Sequence, residues 1–340
     1  MTSNVSSRVA ACSSRLLAFA FSGSRTTTQR ASPLRRQCFT RLDASSTDPT
    51  LASRQKLATI NDGYEQLFDV QLVEGRCVGL RIGQLLAEES ISKQQEAHLD
   101  DVVVAAAISN STQFASWIHE SLHPDEVRYA SKLKSETSQK SFIGGRLALR
   151  HAMQCQVHDC IILKDAYGRP TLPPTFLGSI SHKGDVAVAL VAMTTTTDGE
   201  PHHDWAIGVD LEVRQKGHSR IAQRVLTQHE RNSLGLLNDE NVNADQEVLL
   251  RFSVKEALYK AMHPLICQYV GFQEAETQPL ANGTVQVALN LTSQAHHGFD
   301  SVSAHWRTVG DEYFLTSAKI RLKPGVKAKR NDQNPEECRM

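Results

Sequence analysis

Two acidic residues two positions apart mark a candidate cation site in this 340-residue chain. Asp210 and Glu212 lie in the run IGVDLE (207–212), which predicts a β-strand. Residues two apart on a strand point to the same face, so the two carboxylates lie side by side and repel each other. Hard carboxylate oxygens suit magnesium, which proteins hold with one or two carboxylates together with substrate phosphates. An acidic, solvent-exposed strand face is the alternative interpretation.

A third acidic residue with possible chemistry lies in the run FSVKEALYKA (252–261), which predicts a helix. Glu256 and Lys260 are four residues apart, a spacing that stabilises a surface helix by about 0.3 kcal/mol. A glutamate that lies between lysines and near a metal ion can stay ionised and serve as a general base. An ordinary salt bridge on a helix surface is the alternative here.

Candidate phosphate ligands occur in the run GGRLALR (144–150). Arg146 and Arg150 are four apart and therefore share a helix face. The planar guanidinium group of arginine matches the geometry of phosphate oxygens. A solvated helix face would have the same pattern, so this run alone does not identify a binding site.

The run LGSISHKGD (177–185) contains three potential hydrogen-bond donors in a row, Ser181, His182 and Lys183. Its serines do not fit the GxSxG nucleophile elbow of hydrolases. The spacing of His182 and Asp185 also differs from the acyltransferase pattern. The residues predict a polar turn before a buried strand, and the turn could approach a ligand closely.

These four segments, in this order, resemble the signatures of the phosphopantetheinyl transferases of the monomeric, two-lobed type. The resemblance is closest to the bacterial siderophore-synthesis branch, the relatives of enterobactin synthase component D. It continues in His263-Pro264-Leu265 and Val270-Gly271-Phe272. It covers about 124–272 and, more loosely, the strands up to residue 322.

The resemblance implies that the chain transfers phosphopantetheine from coenzyme A to a serine of an acyl carrier protein. Magnesium is the implied cofactor, and its implied ligands are Asp210, Glu212 and Glu256, with Glu230 as a further candidate. Glu256 is also implied to deprotonate the carrier serine. Lys260 and His182 are the other implied catalytic residues.

The resemblance also implies a set of coenzyme A ligands. Arg169 lies in a Gly-Arg-Pro turn where the family has a basic residue, and Lys255 is implied to steer its neighbour Glu256. The chain departs from the family before the Gly-Arg helix, which leaves the 3'-phosphate contact open between Lys134 and Lys140. The implied coenzyme A ligands are Arg146, Arg169, Ser181, His182, Lys255 and Lys260.

Two other functions fit part of the pattern. A non-catalytic homologue that binds coenzyme A or a carrier protein would not need Asp210, Glu212, Glu256 and Lys260 together. A coenzyme A-dependent acyltransferase with His182 as its base would not need the paired carboxylates and would work without magnesium. The complete set of four residues favours the transferase.

The elements that position these residues predict an α+β fold. Helices and strands alternate on both sides of a polar linker near 194–204, which predicts two similar lobes in one chain, a pseudo-dimer, each with a small antiparallel sheet packed on helices. The predicted lobes span 46–195 and 205–322, and 323–340 forms a disordered tail. Helices are expected at 51–67, 126–134, 139–153, 221–226 and 247–262, and strands at 71–82, 161–163, 186–193, 205–211, 285–291 and 314–322.

Composition limits the partners and the compartment. A formal net charge of zero argues against a general nucleic-acid binder, and no apolar run approaches the roughly 20 residues of a membrane span. The seven cysteines lack metal-ligand spacing and predict reduced thiols in an intracellular protein. Two fused lobes predict a monomer.

The first 45 residues differ from the rest. They contain no acidic residue before Asp43 and are rich in arginine and serine, a composition typical of an organelle transit peptide. A mitochondrial address is favoured over a plastid one. An unstructured extension of a cytoplasmic protein is the alternative.

Overall fold

A computed structural model describes residues 63–85, 114–194, 204–214 and 218–328, apart from the side chain of Asp239. All of these residues belong to one compact unit. The predicted leader and the end of the predicted tail lie outside the described residues. Within the part of the chain that is described, no helix is both long and apolar enough to span a bilayer.

The N-terminal lobe is a four-stranded antiparallel sheet covered by helices. Its strands follow the order β1-β2-β4-β3 across the sheet. The helix α3 packs on β2, β3 and β4. The elements are β1 (Tyr64–Gln71), β2 (Arg76–Ile82), α1 (Ser116–Ser121), α2 (Pro124–Ser131), α3 (Glu136–Met153), β3 (Phe176–Lys183) and β4 (Val186–Met193).

The C-terminal lobe is a five-stranded antiparallel sheet in the order β5-β9-β8-β7-β6. Its long helix α6 packs on β5, β6, β8 and β9. The elements are β5 (Trp205–Val213), α4 (Ser219–Val225), α5 (Gln228–Asn232), α6 (Ala244–Ile266), β6 (Ala275–Pro279), β7 (Thr284–Leu289), β8 (Phe299–Val309) and β9 (Tyr313–Leu322), with short 3-10 turns between them. The predicted α+β architecture of two lobes is therefore confirmed.

The position of α6 depends on its caps and on one glycine. The side chain of Asn243 accepts a hydrogen bond from the Gln246 backbone amide, and the Asn243 backbone amide donates one to Gln246 Oε1 in return, which fixes the start of the helix. Gly208 of β5 allows close approach, since a Cβ at this position would lie 1.9 Å from the Ala257 carbonyl oxygen. Glu256 directly precedes Ala257 in α6. The close approach of Ala257 to Gly208 therefore holds Glu256 near β5.

The two lobes meet where β3 runs alongside β5. Apolar residues of β4, among them Val186 and Val188, form a common buried cluster with Ile207, Val209 and Leu211 of β5. Burial of such side chains stabilises the junction by roughly 25 cal/mol per Å² of apolar area. The junction therefore contains an apolar cluster, and the buried polar groups of β3 and β5 lie beside it.

Four predicted elements differ from the structure. The described end of the predicted helix 51–67 is part of β1, and the predicted strand 71–82 is broken by a turn at Leu72–Gly75. Residues 161–163 are not a strand, because their backbone groups bond to side chains of α2 and α3. The predicted polar turn at 177–185 is the strand β3.

A buried ion pair braces the N-terminal lobe. Glu126 of α2 accepts hydrogen bonds from the Arg150 guanidinium of α3 at 2.7 Å and from the Ile162 amide at 2.6 Å. It also closes the capping box of α2 with His123. The C-terminal lobe has an equivalent glutamate in α5, which is described with the site below, and this correspondence shows that the two lobes are built alike.

Candidate active site

Side chains at every second position of β3 from Ser179 to Lys183 contact β5. Alternate residues of a strand share a face, so these side chains point towards the other lobe. The contacts are Val209 N to Ser179 Oγ at 3.0 Å, Ser181 Oγ to Asp210 Oδ1 at 2.7 Å, and Lys183 Nζ to Glu212 Oε2 at 2.5 Å. The structure therefore joins the predicted 177–185 segment to the predicted acidic strand.

Asp210 is buried at this junction and is held from both lobes. Its Oδ1 accepts from Ser181 Oγ at 2.7 Å and from Lys260 Nζ at 2.8 Å. Its Oδ2 accepts from Ser253 Oγ at 2.8 Å, and Ser253 lies 2.9 Å from Thr316 Oγ1 on the neighbouring strand. A carboxylate only accepts hydrogen bonds, so Ser253 donates to Asp210 and receives a hydrogen bond from Thr316.

Glu256 of α6 has an environment that suits a base. It is 9% exposed, and burial together with the charges of Asp210 and Glu212 raises the pKa of its carboxyl to about 7, against the opposing effect of Lys260. Burial and Asp210 also raise the pKa of Glu212, while Lys183 and Lys260 lower it. Desolvation and nearby like charges both disfavour the ionised form of a carboxyl group and so raise its pKa.

The carboxylates fit magnesium, although they do not form a complete cage. Among the described residues, no three His, Cys, Asp or Glu side chains are grouped so as to hold a metal ion by themselves. Magnesium needs only one or two protein carboxylates when substrate phosphates complete its coordination. Asp210 and Glu212 would provide these, and burial together with the charge of Asp210 raises the pKa of Glu212, so a bound cation would relieve the repulsion between the two.

His182 and Lys260 add donors to the same place. Desolvation and the nearby charges of Lys260, Lys164 and Lys183 lower the pKa of His182, against the opposing effect of Asp210. The ammonium group of Lys260 also donates to the Val209 carbonyl at 3.0 Å. The structure therefore brings Lys260 together with the carboxylates of β5 and α6, and the charges of Lys260 and Asp210 reach the solvent-exposed imidazole of His182.

Lys255 is not part of this group. Its ammonium donates to Glu230 Oε2 at 2.6 Å, to the Val225 carbonyl at 2.8 Å and to the Phe272 carbonyl at 2.9 Å. An ammonium group has three N–H donors, so none is left for a phosphate. The expected role of Lys255 as a coenzyme A ligand is therefore not supported, because all three of its donors are engaged within the fold.

Glu230 is equally committed to the fold. Its Oε1 accepts from Thr277 N at 2.8 Å and Thr277 Oγ1 at 2.7 Å, and its Oε2 accepts from Thr227 N at 2.8 Å and from Lys255. Four donors satisfy a carboxylate. Glu230 is the C-terminal counterpart of Glu126 and is not placed to bind the metal.

Arg146 also has a structural position. It is 3% exposed, donates to the Ile162 and Leu163 carbonyls at 3.0 and 3.1 Å, and lies 3.9 Å above the Phe142 ring. Burial lowers its pKa to about 10. Its guanidinium braces the 161–163 segment, and the expected contact with coenzyme A is not supported.

Arg169 lies on a turn that reaches α6. Its guanidinium pairs with Asp165 at 2.7 Å and lies 4.9 Å from the Tyr167 ring centre. The Tyr167 ring lies 5.3 Å from that of His263, one turn beyond Lys260. Arg169 therefore stays a candidate phosphate ligand, and this aromatic contact fixes its turn against the C-terminal lobe.

Lys134 and Lys140 both remain candidates for the contact with the 3'-phosphate of coenzyme A. Lys140 pairs with Glu136 on α3 at 3.0 Å, and Lys134 is exposed just before that helix. Sequence reasoning missed two hydroxyl groups of the site, Ser253 and Thr316. Their signal is weak, because a small polar residue in a helix or strand indicates a buried hydrogen bond only once its neighbours are known.

Comparisons with known proteins match both lobes to one family. Residues 206–316 match the family model of the 4'-phosphopantetheinyl transferase superfamily, and residues 132–192 match the model of the 4'-phosphopantetheinyl transferase N-terminal domain. The chain is 28% identical over 207 residues to the 4'-phosphopantetheinyl transferase Npt of Nocardia iowensis, which covers 57% of this chain and 87% of that protein.

Two solved structures from Chronobacterium ammoniagenes are also similar. One is an ACPS–CoA complex, which is 21% identical and covers 35% of this chain and 98% of its own, with a TM-score of 0.27. The other is apo-ACPS, which is 22% identical and covers 35% and 97% of the two chains, with a TM-score of 0.26.

Proposed function

We propose that this chain, which belongs to the 4'-phosphopantetheinyl transferase superfamily, transfers the phosphopantetheine arm of coenzyme A to a serine of an acyl carrier protein. The observation that carries the proposal is the convergence of donors from β3 with the carboxylates of β5 and α6. The segments that join here, 177–185 and 207–212, come from the two lobes that match the family. The motifs at 263–265 and 270–272 favour the siderophore-synthesis branch.

The chemistry requires a base and a positive surface. The carrier serine forms a bond from its Oγ to the β-phosphorus of coenzyme A, and the bond to adenosine 3',5'-bisphosphate breaks. Glu256 accepts the serine proton, and Lys260 and His182 donate to the phosphoryl oxygens as charge develops. Magnesium, held by Asp210 and Glu212 with the pyrophosphate, would supply charge neutralisation when bound.

The arrangement disfavours a magnesium-independent acyltransferase. In that reaction His182 would act as the base, and neither Asp210 nor Glu212 would have a part. Here Lys260 and two hydroxyls fix Asp210, and Lys183 pairs with Glu212. Such ordering of two acidic groups costs free energy and is expected where they serve the reaction.

The proposal also covers the partners of the protein, its oligomeric state and its cellular compartment. A carrier protein or carrier domain is the second substrate, and nucleic acid is not a partner. Both halves of the site come from one chain, which favours a monomer. The arginine- and serine-rich residues 1–45 favour import into an organelle, with the mitochondrion ahead of the plastid.

The reaction is tested by intact mass spectrometry of a recombinant carrier protein incubated with this chain, coenzyme A and magnesium. We expect a gain of about 340 Da, the mass of one phosphopantetheine arm carried by coenzyme A. EDTA is expected to abolish the gain. No gain on fatty-acid, polyketide or peptide carriers, with a folded enzyme, would reject the transferase in favour of a non-catalytic homologue that binds coenzyme A or a carrier.

A further inference from the structure

We propose that Lys183 is an additional coenzyme A-binding residue, whose ammonium group leaves Glu212 and contacts a phosphate oxygen when a divalent cation binds the carboxylates. The inference rests on the proposed function and deepens it. It assigns a role to a residue that the sequence singles out only as a potential donor and that the resemblance does not include among the coenzyme A ligands.

The alternation of side chains along β3 fixes where Lys183 points. Ser179 and Ser181, four and two residues before it, both contact β5 through their side chains. Lys183 continues this alternation and meets Glu212, two residues beyond Asp210. The ion pair is therefore a consequence of strand geometry and not an incidental meeting of two long surface side chains.

Lys183 has the freedom that the exchange requires. Its side chain is 45% exposed, and its ammonium pairs with Glu212 alone among the described residues. Lys260, in contrast, is 24% exposed and is held by both Asp210 and the Val209 carbonyl. A lysine ammonium on a flexible four-carbon stem can move between partners without rearranging the backbone.

Charge balance supplies the direction of the exchange. Three carboxyl groups, those of Asp210, Glu212 and Glu256, are close to the ammonium groups of Lys183 and Lys260. A divalent cation on Glu212 repels the ammonium that occupies the same oxygen. The more exposed lysine is displaced, and the phosphates of coenzyme A are the anions that receive it.

The substitution Lys183→Met tests this, because it removes the charge and keeps most of the volume. In the full chain without coenzyme A, Mn²⁺ binding is measured by electron paramagnetic resonance. In the presence of magnesium, coenzyme A binding is measured by calorimetry. We expect Lys183→Met to bind Mn²⁺ about two- to fivefold more tightly, the scale of a partly exposed ion pair. We expect coenzyme A to bind about tenfold more weakly, as for a lost charge-assisted hydrogen bond.

The expected changes have opposite signs, tighter Mn²⁺ binding and weaker coenzyme A binding, and this distinguishes a role in ligand binding from a purely structural role. Lys183→Arg keeps the charge and is expected to keep coenzyme A affinity close to that of the wild type. Unchanged coenzyme A affinity in Lys183→Met would overturn the inference, as would weaker binding of both Mn²⁺ and coenzyme A with a lower melting temperature. If the wild type modifies no carrier protein but Lys183→Met still binds Mn²⁺ more tightly and coenzyme A more weakly, the inference is supported and the transfer reaction is rejected.

Discussion

Lys255 and Glu230 form an ion pair of 2.6 Å in which the two side chains are 2% and 1% exposed. Lys255 is the sequence neighbour of Glu256, yet the two point in different directions, since successive residues of an α-helix are about 100° apart. Glu256 points to β5 and the candidate active site, whereas Lys255 points to α5 and to the turn before β6. The Lys-Glu pair of the motif therefore divides into a structural residue and a residue with chemistry.

Lys255→Met is predicted to destabilise the protein by about 3–5 kcal/mol, because it leaves the buried Glu230 carboxylate without its partner. The double variant Glu230→Gln with Lys255→Met is expected to recover part of this loss. Urea unfolding measures both. In folded Lys255→Met, the magnesium concentration for half-maximal transfer is expected to stay at the wild-type value. A large rise in that concentration would indicate that Glu230 does take part in metal binding.

Glu256→Gln is predicted to lower turnover by a factor of about 10² or more, as for a lost general base, while coenzyme A still binds. Single-turnover transfer and calorimetry with coenzyme A are the measurements. Glu65→Gln, on the distant strand β1, is the matched control. If coenzyme A binding is lost together with turnover, Glu256 acts first as a ligand and not as a base.

Ser253→Ala is predicted to reduce turnover about tenfold and to cost about 1–3 kcal/mol in unfolding free energy, since Asp210 Oδ2 loses its buried donor. Thr316→Val removes the hydroxyl behind Ser253 and is expected to have a smaller effect. A double-mutant cycle measures the coupling of the two hydroxyls. Strict additivity would contradict the hydrogen-bonded chain from Thr316 through Ser253 to Asp210.

Acid sensitivity provides a further prediction. Burial, with Arg169 nearby, lowers the pKa of His263 from 6.5 to about 4. At this residue the unfolded chain therefore binds more protons between these values, so the contribution of His263 to stability is fully present above pH 6.5 and is lost as the pH decreases towards 4. The slope from this residue is at most about 1.4 kcal/mol per pH unit. Unfolding of His263→Phe is expected to depend less on pH in this window, and an unchanged pH dependence would contradict the prediction.

Much of the fold follows from local sequence patterns. The apolar run of β4 matches the predicted strand 186–193, and α3 and α6 match the predicted helices at 139–153 and 247–262 within a few residues. Buried, β-branched runs and capped helices have strong local signals. The strand β3 was missed because one of its faces contacts β5 through Ser179, Ser181 and Lys183, so its pattern is polar.

The site could be predicted only in part. Asp210 and Glu212 were paired by strand alternation, and the structure places them side by side at the lobe junction. The structural roles of Lys255, Glu230 and Arg146 could not be inferred, because α3 and α6 are buried on most sides and their periodicity does not tell which neighbour each face meets. Such contacts depend on tertiary packing.

The central claim is that the carboxylates at the junction of the lobes carry out the transfer. Its most direct test is the intact mass of an acyl carrier protein after incubation with coenzyme A, magnesium and either the wild type or a folded Asp210→Asn variant. The wild type is predicted to add about 340 Da, one phosphopantetheine arm, whereas Asp210→Asn is predicted to leave the carrier unmodified over the same time. Equal rates for the two proteins, or a wild-type gain that persists in EDTA, would contradict the claim.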